Sequence, residues 1–172
     1  AYNTGVGVGV VGQGGFVGYD GAFGSGLLTQ IPATANTTTT LPSGTTNAAI
    51  LRLAGGFTND IAFTTGTDVL NLELGGLLRS NDNFASTIGT AGTRGVITSG
   101  TSELVVYNAQ NTVTINSVIQ GATRLVKSGA GTLRVTANNT YSLGTTVDQG
   151  TISLNGTGVV IPAGGVLLGG AT

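Results

Sequence analysis

Short runs that alternate apolar and polar residues, each closed by Gly, Asn or Asp, recur along most of the chain, and this rhythm limits the fold more than any other feature. No window of helical length carries apolar residues at helical spacing, so helices are not expected. Ile50–Leu53, Ile61–Phe63, Val69–Leu74, Glu103–Tyr107, Val113–Ile119, Leu133–Val135 and Thr151–Leu154 each read as a strand. In Val69–Leu74 the period of two puts Leu70, Leu72 and Leu74 on a core face and Asn71 and Glu73 on a solvent face. Strands this short, without helices between them, leave a sandwich, a barrel or a solenoid. Hairpin folds favour two-residue Asn-Gly or Asp-Gly loops, and only Asn155-Gly156 and Asp20-Gly21 have that form. Corners of Gly, Ser, Thr and Asn instead suit a chain that turns repeatedly in one sense. That describes an all-β parallel β-helix, or β-solenoid, with roughly 20 residues per coil and about seven or eight coils in all.

Composition removes several function classes. Of 172 residues only 8% are charged, with a net charge of −1, and six Lys or Arg build no phosphate-neutralising patch, so nucleic acid is not expected as a partner. Cys, His, Met and Trp are absent, which excludes thiolate nucleophiles, disulfides, the usual zinc ligand sets and His relays within the chain. A glycosidase needs two carboxyl groups about 5–9.5 Å apart. Among Asp20, Asp60, Asp68, Glu73, Asp82, Glu103 and Asp148 no two stand at i, i+2, and what is left is pairs one coil apart, for instance Asp60 or Asp68 with Asp82. Solvated corner acids are the simpler reading, so no catalytic residue, cofactor or metal is assigned.

The chain divides into three zones. Residues 1–28 form a Gly-rich N-terminal extension in which Val6, Val8, Val10 and Val11 alternate with or follow Gly, read either as a linker or as a flat docking strand. Residues 29–47 are a Thr-rich loop region around Pro42, and 48–172 are the β-solenoid. No charge occurs before Asp20 or after Asp148, so neither end carries the charges that usually guard strand edges. Val159, Val160, Ile161, Val166, Leu167 and Leu168 look like coil awaiting further strands. With Val6, Val8, Val10 and Val11 they are candidate subunit-docking residues for a head-to-tail homopolymer.

The uncharged run Asn155–Thr172 reads as strands between Gly corners and not as a membrane span, because it contains six Gly and Pro162. Ala1–Gly26 lacks the basic start and Leu-rich core of a secretory signal, as expected of a processed or internal piece if the chain is exported. Asn36-Thr37-Thr38, Asn138-Asn139-Thr140 and Asn155-Gly156-Thr157 match the glycosylation acceptor pattern, for which turn hydrogen bonding is the simpler reading.

The most specific motif is Leu125-Val126-Lys127-Ser128-Gly129-Ala130-Gly131-Thr132-Leu133, followed by Asn139-Thr140-Tyr141, Gly144-Thr145-Thr146-Val147 and Gly150-Thr151-Ile152-Ser153-Leu154. It resembles the autotransporter-associated β-strand repeat, also called the passenger-associated transport repeat, here over 123–154. Its structural residues in this chain are Leu125, Lys127, Gly129, Gly131, Leu133, Asn139, Tyr141, Gly144, Val147, Gly150, Ile152 and Leu154. The glycines turn the chain between Leu125, Leu133, Val135, Val147, Ile152 and Leu154, which are expected to stack inward. The resemblance implies a right-handed parallel β-helix outside a Gram-negative-type cell, serving surface structure, adhesion or outer-membrane passage.

The function expected on these grounds is structural and non-enzymatic: an extracellular subunit of a self-assembling surface fibre built by head-to-tail stacking. The alternative is a stalk or passenger segment of an autotransporter adhesin, with surface glycans as a partner class. A β-helix glycan-active enzyme comes third.

Overall fold

The computed structural model describes residues 2–3, 7–8, 21–32, 34–80, 83–156, 161–162 and 165–169. Its described residues are all strand, turn and loop, wound into a parallel β-solenoid of about six turns. Ahead of the coils, β1 (Tyr2–Asn3) and β2 (Gly7–Val8) pair antiparallel.

Each turn has three sides. The first consists of β3 (Leu28–Ile31), β4 (Thr37–Leu41) and the first half of β5 (Thr45–Leu53). The second half of β5 opens the next turn, with β6 (Asn59–Phe63) and the first half of β7 (Val69–Arg79). The third takes the rest of β7, β8 (Ser86–Ile88) and β9 (Val96–Ser99). The fourth comprises β10 (Glu103–Asn108), β11 (Thr112–Ile115) and β12 (Val118–Gly121). The fifth is β13 (Arg124–Ser128), β14 (Thr132–Val135) and β15 (Thr140–Tyr141). The sixth contains β16 (Thr145–Val147) and β17 (Thr151–Leu154), and β18 (Val166–Leu168) lies parallel on β16.

Pairing between turns is parallel and, apart from a shift between Ala48 and Ile50 where β5 meets β7, in register, so inward side chains rest on their counterparts above and below. One ladder runs Ile61, Ile88, Ile115, Val135 and Leu154. A second runs Thr29, Leu51, Leu77, Val106, Lys127, Val147 and Leu168. The third side contributes Leu70 and Ile97, which meet in register, and Ile119 continues the stack. The buried apolar members, from Leu51, Leu77 and Val106 to Ile61, Ile88, Ile115, Val135, Leu70, Ile97 and Ile119, belong to one continuous core. Outward positions carry polar side chains that bond along the stack. Asn71 Nδ2 donates to Asn47 Oδ1 at 3.0 Å, and Thr98 Oγ1 donates to Asn71 Oδ1 at 3.0 Å.

The seven expected strands are all present, with four differences. Val113–Ile119 is two strands, because the chain turns a corner at Asn116 and Ser117. The Thr-rich segment is not loop throughout: Thr37–Leu41 pairs along its whole length with Asn59–Phe63, as β-branched side chains on a pleated surface favour. Leu74 is 63% exposed, not in the core with Leu70 and Leu72. β7 bends there, at Gly75 with φ +68°, and the alternation restarts on the next side of the coil. The described chain holds about six turns, fewer than expected, because successive turns take from about 20 to about 30 residues.

The two ends of the stack differ. Inward residues of the first turn are covered, Ile31 and Leu41 being 4% and 1% exposed, and Phe23 packs against the core. The loop before β3 is tied down by Glu73, whose two carboxylate oxygens accept from Ser25 Oγ at 2.6 Å and Gly26 N at 2.7 Å. At the other end Leu154, Val166 and Leu168 occupy inward register positions yet are 47%, 50% and 71% exposed.

Ile88 sits mid-ladder with no exposed surface, so Ile88→Ala is expected to lower unfolding stability by about 2–5 kcal/mol in urea titration. Thr114→Ala, on the outward side of the neighbouring turn, should stay within about 0.5 kcal/mol of the parent. Equal effects at the two positions would contradict the assigned inward ladder.

Candidate functional site

The motif spacing of Leu125–Leu154 becomes a set of contacts between three successive turns. Leu125 and Leu133 lie in the core at 1% and 0% exposure. Lys127, between them, takes an inward rung that Leu51, Leu77 and Val106 fill with aliphatic carbon in earlier turns. A buried ammonium needs acceptors, and this one has three. Its Nζ donates to the carbonyls of Ser128 at 2.7 Å, Gln149 at 3.1 Å, and Gly129. The stem fills the rung while the head closes the corner and joins it to the next turn. Burial pulls the Lys127 pKa down to about 8, and three acceptors match the three N–H groups of the protonated amine.

The glycines of the motif make room for the previous turn. Asn108 ends β10 directly across from this corner, fully buried, and its Nδ2 donates to the carbonyls of Asn111 and Thr132, both at 3.0 Å. A Cβ on Gly129 would strike the Asn108 backbone carbonyl, and Gly129 has φ +76°. A Cβ on Gly131 would stand 2.5 Å from Asn108 Nδ2 and 2.8 Å from the Asn111 carbonyl. A Cβ on Gly150, one turn later, would meet the carbonyls of Gly129 and Gly131. The Asn108 carbonyl accepts from Gly131 N at 2.9 Å, a further tie between the two turns.

The rest of the motif pins the other corners. Asn139 is buried, its Oδ1 accepting from Ile119 N at 2.9 Å and its Nδ2 donating to the Ala137 carbonyl at 3.0 Å. Tyr141 is buried with its hydroxyl 2.6 Å from Thr145 Oγ1. The Gly144 carbonyl accepts from Leu125 N at 3.1 Å. Val147 and Ile152 are half-buried, and Leu154, expected inward, is largely exposed because no further described turn covers β17.

Two corner groups had no warning in the motif. Arg79 is buried and donates to the carbonyls of Leu53 at 3.4 Å, Phe57 at 2.9 Å, Phe84 at 3.1 Å, and Ala54, gathering two loops at one corner. It and Asn108 share a rung with Leu53 and Ile31, so polar residues replace apolar ones there as the corner tightens. An Arg or Asn ending an alternating strand just before a turn is the signal that could have marked them.

The carboxylates examined for chemistry hold backbone. Asp68 is buried and accepts from Gly44 N at 2.8 Å and from Thr65 N. The Gly44 N–H, against the burial that opposes it, holds the carboxyl below the usual range, with Thr65 assisting. Asp60 Oδ1 accepts from Thr87 N at 2.6 Å, one turn away. Asp82 lies outside the described residues.

Of the candidate docking residues, Val6, Val10, Val11, Val159 and Val160 lie outside the described residues, and Val8 stands on β2. Ile161, Val166 and Leu168 meet Ile152 and Leu154 around an open cavity of about 290 Å³ at the C-terminal end of the stack. Leu167 faces outward and is 65% exposed. Among the described residues no helix is long and apolar enough to cross a membrane.

Comparison with known proteins agrees with the motif. Residues 125–154 match the family model of the passenger-associated-transport-repeat. An adhesin of Brucella suis biovar 1 (strain 1330), the BmaC autotransporter, is 41% identical over 59 residues, which are 34% of this chain and 2% of the adhesin. No solved structure matches the chain. The resemblance to an autotransporter-associated repeat protein is thereby borne out.

Replacing Lys127 leaves three corner carbonyls without their donor. Lys127→Met should cost about 1–3 kcal/mol of stability, read as a lower urea midpoint. The native amine releases its proton near 8 and the unfolded one near 10.5, so the parent should gain stability as pH rises from about 8 toward 10. That rise should be missing in Lys127→Met. A variant as stable as the parent, or one that keeps the rise, would contradict the role given to Lys127.

Proposed function

We propose that this chain is a stalk or passenger segment of an autotransporter adhesin, carried on the outer surface of a Gram-negative-type cell. The observation that carries this reading is the repeat at 125–154, whose strands stack in register on the turns beside them and whose corners are closed by its own motif residues. A rod of this kind holds position by its core and offers its polar outer faces to solvent and to partners, surface glycans among them. Its part is structural. The acids weighed for catalysis act as backbone anchors in this reading, Asp60 across a turn and Asp68 at a corner. The match to BmaC, an adhesin by its name, supports adhesion as the setting.

The self-assembling fibre draws no support from the comparisons. Of the docking residues it invokes, those among the described residues that stand exposed are Val166, Leu167 and Leu168.

Placing the chain between a secretion signal and an autotransporter β-barrel in a Gram-negative host tests the stalk reading. The expected result is surface display, seen as labelling by antibody and cleavage by added protease in intact cells. Retention inside the outer membrane would overturn it. Electron microscopy of the purified chain separates the two readings: isolated short rods are expected, and uniform filaments would favour the fibre.

A further inference from the structure

We propose that Asn138 is an acceptor for asparagine-linked glycosylation, taking a hexose from a nucleotide-activated sugar. Three segments carry the Asn-x-Thr pattern, and the fold treats them differently. In Asn138-Asn139-Thr140 the chain is extended, with Asn138 and Thr140 exposed on one side and Asn139 buried on the other. Asn139 fixes this alternation through its bonds to Ile119 N and the Ala137 carbonyl, so the amide and the hydroxyl two residues on are presented together. A transferase that reads an acceptor amide and a hydroxyl at i+2 finds both on the same exposed side.

The surface beside the acceptor adds access. Beside Asn138 lies an open recess of about 260 Å³ lined also by Arg94, Val118, Thr136 and Ala137, which leaves space at the amide for a sugar ring.

The other two segments are less suited. The Asn36 side-chain oxygen already accepts from Thr58 N at 3.0 Å, holding one turn to the next. Thr157, the hydroxyl partner of Asn155, lies outside the described residues.

In the reaction Asn138 Nδ2 forms a bond to the anomeric carbon of the sugar. The bond from that carbon to the phosphate oxygen breaks, the nucleoside diphosphate leaves with the electron pair, and the amide proton passes to a base of the transferase. The sugar would stand outward from the coil, where the inward ladder is untouched. The inference holds for a stalk and for a fibre alike.

The test uses the folded full chain, UDP-glucose and a soluble asparagine glycosyltransferase active on Asn-x-Thr peptides, followed by mass spectrometry. Cleavage at Asp148 separates Asn138 from Asn155. A hexose on the Asn138 fragment is expected, lost in Asn138→Gln and Thr140→Ala and kept in Thr140→Ser. Both altered side chains are exposed, so circular dichroism of each variant should match the parent. Absence of hexose at Asn138 in the folded parent overturns the proposal, whether or not Asn36 or Asn155 is modified. So does modification of Asn138 only after the chain is unfolded.

Discussion

Everything in this molecule depends on returning the chain to the same place after each turn. Parallel strands in register put like positions over one another, so an inward Ile finds Ile or Val above and below, and the core needs no long-range matching of unlike shapes. Ile61, Ile88 and Ile115 form such a column. The constraint therefore falls on the corners. Sides are interchangeable lengths of strand, but a corner must reverse direction, satisfy its own carbonyls and leave room for the corner before it.

Polar side chains and glycine answer that constraint in different turns. Arg79 gathers four carbonyls in the third turn, Asn108 two in the fourth, and Lys127 three in the fifth. Each is fully or almost fully buried, and each carries donors that the corner carbonyls lack. Gly129 and Gly131 are the counterpart to Asn108: a Cβ on either would take the place that the Asn108 carbonyl or amide occupies. The Lys-x-Gly-x-Gly spacing is thus a contact between turns as much as a local turn signal. A stack closed in this way is continuous along its axis, which is what the proposed stalk role requires.

Strand existence and fold class were legible because both follow from local pattern. The period of two in Val69–Leu72 and Glu103–Asn108 reads directly, as do the glycine corners of the repeat. Corners inside a strand did not read so well. Leu74 continues the alternation in sequence, but the bend at Gly75 sends it outward, and nothing short of the turn count reveals this. Thr37–Leu41 looks like loop by composition and becomes strand because Asn59–Phe63 lies beside it. Leu154 and Val147 carry inward identities at a place where the described stack ends, so burial there depends on a neighbour and not on the residue. Most of the candidate site was legible as a motif; its mechanism was not, since Asn108 lies one turn before the motif and meets it only in three dimensions.

The measurement that tests the account most directly is the register itself, and the absence of Cys from the chain makes it clean. Thr114 and Arg134 face outward on adjacent turns as registered partners, while Thr132 lies two residues out of register on the same neighbouring strand, opposite Thr112. Thr114→Cys with Arg134→Cys should close an intramolecular disulfide under mild oxidation, because registered neighbours lie within the about 4.4–6.8 Å Cα range that a disulfide spans. Closure of Thr114→Cys with Thr132→Cys in preference, or closure of neither pair, would contradict the in-register solenoid on which the functional reading stands.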